Sequence, residues 1–411
     1  MRSSHGWRPD AAMFDDRNLV SAAGLLPVLE LAEQAGLSDL LAEHVVFHCE
    51  RVRSGAANPT PKLTSIIGGL AAGADCIDDL DVIRSGGMHK VFDQVYAPAT
   101  LGILLREFTH GHTRQLHAVL TRHLVALCGR TPVLAGIAEQ ALIDIDSLLR
   151  PVYGHQKQGA SFGHTKIAGK QVLRRGLSPL VATISTPTAA PVVAGIRLRA
   201  GRAASGKGAA SMLTEAVNTA KAAGATRILC RGDSAYGNSV VIAAAVNAGA
   251  EFSFVLIRNR AMDRAISSIP ADAWTPVRYP GAVIDPDTGK LISDAEVAEI
   301  GYTAFTTSKN PVTARLIVRR VRDRVHLDDE LFPVWRHHPF LTNSTAPATE
   351  ADITHRQHAI IETVFADLID GPLAHLPSVI LSPAVCGWSD LRVWVVDMSS
   401  TRRLGGLVSM V

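Results

Sequence analysis

No run of about 18 apolar residues occurs in the 411-residue chain, so a membrane-spanning helix is not expected. The N-terminal stretch MRSSHGWRPDAAMFDD has no apolar core segment, so no signal peptide is expected either. Cysteine is sparse: Cys49, Cys76, Cys128, Cys230 and Cys386 are scattered and never form a C-x-x-C pair. That excludes a disulfide framework and a cysteine zinc site, and it fits a reducing cytoplasm. An excess of charge of one sign is also lacking. Lys and Arg number 41 against 38 Asp and Glu, a net +3, which by itself does not mark a nucleic-acid binder. No internal repeat at a period of about 20–50 residues is present. GHQKQGASFG (154–163) lacks the G-K-[ST] ending of a Walker loop, so no nucleotide cofactor is expected.

What is present is a globular composition, 47% hydrophobic and 19% charged, enough for a sizeable core. The length suggests two or three domains at about 150 residues each. Residues 1–16 read as a polar arm. Residues 17–47 carry apolar side chains at three- and four-residue steps and read as helical, with Gly36-Leu37-Ser38 as a turn and N-cap. A loop over 49–62 and more helix over 63–128 make roughly the first 130 residues nearly all α. His44 and His48, beside Cys49, have a metal-compatible spacing but no fourth ligand, and read as a surface face. His110 and His112, flanking Gly111, read as loop.

Beyond residue 130 the pattern turns to α/β. Strands are expected at 139–146, within 181–201, at 226–237 and at 251–259, with helices at 211–225 and 238–250. Residues 272–325 alternate between turn signals such as DPDTG (285–289) and read as antiparallel β. ITHRQHAIIETVFADLID (353–370) reads as a helix stopped by Gly371-Pro372. The last stretch, 379–411, holds two of the five Trp and no helical period. It is either a short exposed β tail or the product of a frameshift or truncation.

Three acids stand where an α/β enzyme places a metal site. Asp146 ends a strand in LIDIDSLL, Asp233 follows another in ILCRGDSAYG, and Glu362 lies mid-helix in HAIIETVFADL. Carboxylates converging from different elements can hold two Mg²⁺ ions about 3.5–4 Å apart. Mg²⁺ takes oxygen ligands and keeps waters, so three acids suffice. One ion activates the attacking water or 3′-hydroxyl and the other stabilises the leaving oxygen. Each acid also has an ordinary reading, as a turn former or helix cap for Asp233 and as a solvated helix residue for Glu362. Asp144 and Asp146 alternate with Ile143 and Ile145 and so share a face. Either can be the first ligand, with the other its hydrogen-bonding neighbour.

LIDIDSLLRPVYGHQKQGASFGHTK followed by LSPLVATISTP, then RILCRGDSAYGN, then HRQHAIIETVFADLIDGPLAHLPS resemble, in order, the three motifs of DDE transposases of the IS4/IS1380 insertion-sequence group. The resemblance covers most of residues 17–378. It implies an α/β fold with a ribonuclease H-like catalytic core at 131–378, interrupted by a mainly β insertion at about 265–345. It also implies a preceding α-helical domain, 1–130, that binds terminal repeats, and it leaves 379–411 as an atypical tail. It makes Asp146, Asp233 and Glu362 the catalytic, metal-holding acids, with Asp144 the alternate first acid. The implied cofactor is Mg²⁺ or Mn²⁺, two ions. The implied partners are double-stranded DNA, as terminal inverted repeats and target, and a second copy of the chain.

The group often adds Tyr, Arg and Lys around the last acid. Here those positions are His355, His358 and Ile369, which would share one helical face with Glu362. His358 can still bond a phosphate and Ile369 cannot, while Arg356 is a partial substitute on another face. Further DNA contacts are expected at Arg174 and Arg175, after the first acidic strand, and at Arg320, Arg322 and Arg324, one face of RLIVRRVRDR. Trp274 and Tyr279 in the insertion read either as stacking platforms for an extruded base or as small-core aromatics. Two rival classes share part of the pattern. One is a degenerate transposase that binds DNA without cutting it, which Ile369 and the tail favour. The other is an unrelated metal-dependent nuclease or phosphatase.

Overall fold

The computed structural model describes residues 16–47, 55–92, 95–153, 159–167, 170–280, 295–322, 335–371 and Leu373. The tail expected at 379–411, the DPDTG turn, His48 and Cys49 fall outside these residues. The chain forms two compact units, one built on the N-terminal helices up to Thr131 and the other on Pro132–Pro151 and Ser161–Asp367.

The first unit holds α1 (Leu25–Gln34), α2 (Leu37–His44), α3 (Pro59–Ala71), α4 (Pro98–Arg106) and α5 (His110–Cys128). Apolar stripes at helical spacing make its core: Leu37 and Leu41 of α2, Ile66 and Ile67 of α3, Leu116 of α5. Gly36 turns between α1 and α2 at φ +81°, a left-handed conformation that glycine adopts without strain. Two sequence expectations need correction. The loop expected to reach residue 62 ends sooner, because α3 starts at Pro59, where proline's missing N–H goes unneeded. His110 and His112 are not loop but open α5. Thr109 caps it by accepting from the His112 N–H, and the His112 ring takes the Thr109 N–H in return.

The second unit begins with β1 (Ala141–Ser147), β2 (Arg150–Pro151), β3 (Ser161–Ile167), β4 (Lys170–Leu177), β5 (Leu180–Ser185) and β6 (Val192–Arg197). Next come α6 (Ala209–Ala222), β7 (Ile228–Gly232), α7 (Ser239–Asn247), β8 (Glu251–Val255) and α8 (Arg260–Ser267). β9 (Thr275–Val277), β10 (Ala295–Ala304), β11 (Val312–Arg322) and β12 (Trp335–Thr342) follow, then α9 (Ala348–Arg356) and α10 (Ile360–Asp370). One nine-stranded sheet has the order β6-β5-β1-β7-β8-β12-β11-β10-β9. β7 runs parallel to both β1 and β8, whereas β5 and β6 form an antiparallel meander on the other side of β1. The central strands are mostly apolar, as strands covered on both sides tend to be: Ile143, Ile145, Leu180 and Val181 are fully buried.

The β-rich insertion is not a separate body. β12 pairs antiparallel with β8, Phe340 opposite Val255, so β9–β12 extend the same sheet. β2, β3 and β4 form a second, three-stranded sheet that the sequence patterning did not reveal. Its backbone lies hard against Gly201. A side chain there would place its Cβ 2.2 Å from the Ser161 carbonyl and 2.4 Å from that of Gly176. Among the described residues no helix is long and apolar enough to cross a membrane.

Candidate active site

Asp146 lies at the end of β1, and Asp233 is the first residue after β7. The two strands are parallel neighbours with Asp144 opposite Arg231, so both acids lie at the same, carboxyl edge of the sheet. That edge is where open α/β sheets bind ligands. Asp233 Oδ1 accepts the Ala235 N–H at 2.9 Å, and Asp146 Oδ1 accepts that of Ser147 at 2.6 Å. Glu362 is exposed in the first turn of α10. Burial pushes the Asp146 carboxyl up to about 7. The Ser147 N–H opposes that rise, and the negative charges of Asp233 and Glu362 add to it. Asp233, just after β7, and Glu362, on α10, thus both act electrostatically on Asp146.

Asp144 is differently committed. It is fully buried and takes two bonds from the equally buried Arg231, Nε to Oδ1 at 2.7 Å and Nη2 to Oδ2 at 2.6 Å. Both of its oxygens are thus engaged by a guanidinium in the interior, whereas Asp146 is only partly buried. Arg231 escaped the sequence reading, although its signal was there: R-x-D at the second strand mirrors D-x-D at the first.

Two further residues surround Asp146. Tyr236 is fully buried and donates its hydroxyl to Ser147 Oγ at 3.0 Å. Arg199 acts electrostatically on both Asp146 and Tyr236. It ties down the chain around it, donating to the carbonyls of Ser178 at 3.1 Å, Ser205 at 2.8 Å and Lys207 at 2.9 Å.

Among the described residues no three His, Cys, Asp or Glu side chains stand together as a ready-made metal-binding group. The donor chemistry still fits a hard divalent cation. The donors are all carboxylate oxygens, and the Asp146 carboxyl is raised first by burial and then by the negative charges of Asp233 and Glu362, which a cation would relieve. Glu362, exposed on its helix, is the side chain that would have to turn inward.

The helix expected to run unbroken over 353–370 is instead α9, a 3₁₀ turn at Gln357–Ala359, and α10. The tighter turn shifts the angular register, so His355, His358 and Glu362 are not one continuous α-helical face. His355 is buried, bonded to Ser253 Oγ at 2.8 Å and stacked on Phe340 at 4.2 Å, which makes it core. His358 has a buried Nδ1 without a partner and lines a cavity of about 580 Å³. Ser234, Arg258, Arg319, His338 and Arg356 line the same cavity. Arg356 also lies over the Tyr279 ring at 3.9 Å, and the Tyr279 hydroxyl donates to Asp352 at 2.5 Å. Arg258 and Arg319 were not selected from the sequence as sites, because only the fold turns them toward the second acid's loop.

Of the remaining basic residues, Arg174 is exposed and Arg175 half-buried on β4, Arg175 opposite Phe162. They sit in a stretch between Asp146 and Glu215 that contains no acidic residue. Arg320 is not a free cation. It sits between the Trp274 and Trp335 rings, 4.2 and 4.3 Å from their centroids, and pairs with Glu296. Arg322 is exposed, and Arg324 lies outside the described residues. Trp274 and Tyr279 each have a ring face taken by an arginine, which matches the small-core reading of both.

The sheet is mixed, with acids at the carboxyl ends of adjacent parallel strands and a third on a following helix. The family described as Transposase DDE domain group 1 matches residues 8–358, and the chain belongs to it. The matched segment spans Asp146 and Asp233 and stops just before Glu362. No curated protein matches the chain. A solved piggyBac transposase synaptic complex with hairpin DNA is similar over 95% of this chain and 77% of that one, at 11% identity and a TM-score of 0.39, a likeness too slight to carry an argument.

Proposed function

We propose that the protein is an active DNA transposase that cuts an insertion sequence at its terminal inverted repeats and joins it to target DNA, using Asp146, Asp233 and Glu362. The observation that carries this reading is the placement of Asp146 and Asp233 at the carboxyl ends of the neighbouring parallel strands β1 and β7, in a chain of the DDE transposase family. They would hold Mg²⁺ or Mn²⁺, two ions. Such ions supply an activated oxygen nucleophile and neutralise charge on the phosphate under attack. The chain's own part is to fix the acids. β1 and β7 set the first two side by side, the Ser147 and Ala235 N–H groups orient their carboxylates, and Tyr236 and Arg199 pack the strand end from behind.

The strand order around β1 supports a ribonuclease H-like core, and the three ordered motifs support membership of the IS4/IS1380 group. Phosphate contacts are assigned to Arg174 and Arg322, which are exposed, to half-buried Arg175 beside Arg174, and to Arg356 and His358, which line the cavity beside Ser234. Arg320 is assigned to the insertion's own packing. The protein works in the cytoplasm, as a homodimer holding two DNA ends.

A strand-cleavage assay tests this directly. Full-length protein is incubated with Mg²⁺ or Mn²⁺ and an end-labelled duplex carrying the inverted repeat that flanks its gene. Specific nicking at the repeat is expected, falling to background in Asp233→Ala and Glu362→Ala. End binding without cleavage in either metal would instead establish the DNA-binding remnant that Ile369, in place of a phosphate-contacting lysine, favours. Cleavage without preference for the repeat would point to a general nuclease.

A further inference from the structure

Each strand-end acid is preceded, two residues earlier on the same strand face, by a buried charge: Asp144 before Asp146, Arg231 before Asp233. These two face each other across the β1–β7 pair and join through a two-bond fork. Arg231 has a third bond. Its Nη1 donates at 2.6 Å to the carbonyl of Thr354, in the last turn of α9. That carbonyl lies at the helix end where the dipole favours a cation. From Thr354 the chain passes through the Gln357–Ala359 turn directly into α10 and Glu362.

One guanidinium thus touches the elements that carry, or lead to, all three acids. Stability does not explain such a pair, since apolar residues of similar volume serve a buried site as well or better. Directionality does. A planar fork with five fixed donors can hold a carboxylate and a carbonyl at once and so set the axial position of α9 along the strands, which apolar packing does loosely.

We propose that Arg231 is a positioning residue: the Asp144–Arg231–Thr354 clamp sets the helix bearing Glu362 against the strands bearing Asp146 and Asp233, and through that geometry sets the site's affinity for divalent metal. The role of the three acids is taken from the proposed function. The clamp itself stands on the hydrogen bonds.

The test uses the full chain, the double variant Asp144→Leu/Arg231→Met and the single variant Arg231→Lys. It reads hydrogen exchange over 348–370 and Mn²⁺ binding by calorimetry. In the double variant, β1 and β7 amides should keep the parent's protection while α9 and α10 amides exchange about tenfold faster or more. Mn²⁺ affinity should fall by about 10–100-fold, the usual effect of losing a residue that orients metal ligands. Arg231→Lys keeps the charge but lacks the fork, and should fall between. Unchanged α9–α10 exchange with Mn²⁺ affinity within about twofold of the parent would overturn the clamp. If the double variant does not fold, the same two readings on Arg231→Lys decide. A parent that neither binds Mn²⁺ nor cuts DNA would sink the functional reading, and the exchange comparison would still decide whether Arg231 holds α9.

Discussion

Replacing Asp146 by Asn should stabilise the metal-free protein above neutral pH while abolishing cleavage. The folded Asp146 carboxyl holds its proton up to about pH 7, against an ordinary value of 3.8. Between those values the folded chain binds more protons at this site than the unfolded one, so stability falls as pH rises through the window. Below pH 3.8 the penalty is absent, and above pH 7 it is complete. Roughly three pH units at about 1.36 kcal/mol each would set an upper limit of about 4 kcal/mol. Asp146 is only partly enclosed and water screens its neighbours, so about 2 kcal/mol is the better figure. For a unit of this size that is about 4–8 °C in Tm.

The assay is a pair of thermal melts, parent and Asp146→Asn, in EDTA at pH 4.5 and pH 8. The variant's advantage should appear at pH 8 and largely vanish at pH 4.5. Adding Mn²⁺ at pH 8 should raise the parent's Tm and leave the variant nearly unmoved, because the cation compensates the same buried negative charge that the amide removes. An equal difference at both pH values, or a variant less stable than the parent at pH 8, would refute the idea that burying the charged Asp146 carboxylate beside Asp233 and Glu362 costs stability.

Arg320→Ala should destabilise the insertion by about 1–3 kcal/mol through loss of two ring contacts and an ion pair, with little change in the salt dependence of DNA binding. Arg322→Ala should do the reverse: unchanged Tm, and a slope of log K against log salt reduced by about one in a titration from low to moderate salt. The helical unit should lose stability as pH falls from 6.5 toward 4. Buried His123, bonded to the Ala32 carbonyl at 3.1 Å, has its pKa lowered to about 4 by burial, so the unfolded state takes up a proton that the folded one refuses. Far-UV melts of His123→Gln should show a shallower acid slope, and an unchanged slope would count against that account.

Much of the arrangement was legible in the chain itself. Helical period marked the N-terminal unit, and a short, mostly apolar run ending in acid marked β1 and β7, because a central strand covered on both faces is mainly apolar. The strand-end placement of Asp146 and Asp233 follows from that alone. Local patterning misread what depends on capping and turn geometry: α3 begins before its apolar stripe does, Thr109 recruits His112 into α5, and a 3₁₀ turn splits the helix ahead of Glu362. It also left the β3–β4 hairpin unread, since β4, exposed along most of its length, lacks the alternation that marks a half-buried sheet.

The sequence by itself determined that Asp146 and Asp233 stand at strand ends, because a short apolar run closed by an acid is a local feature that spacing reveals. It could not apportion the two aspartates of LIDID, nor sort free arginines from occupied ones, because both depend on what faces the side chain across the fold. Tertiary structure assigned Asp144 to Arg231 and Arg320 to two tryptophans and Glu296. It also brought Glu362 close enough to act on Asp146. Charge acts through distance in space, and only the folded chain sets that distance.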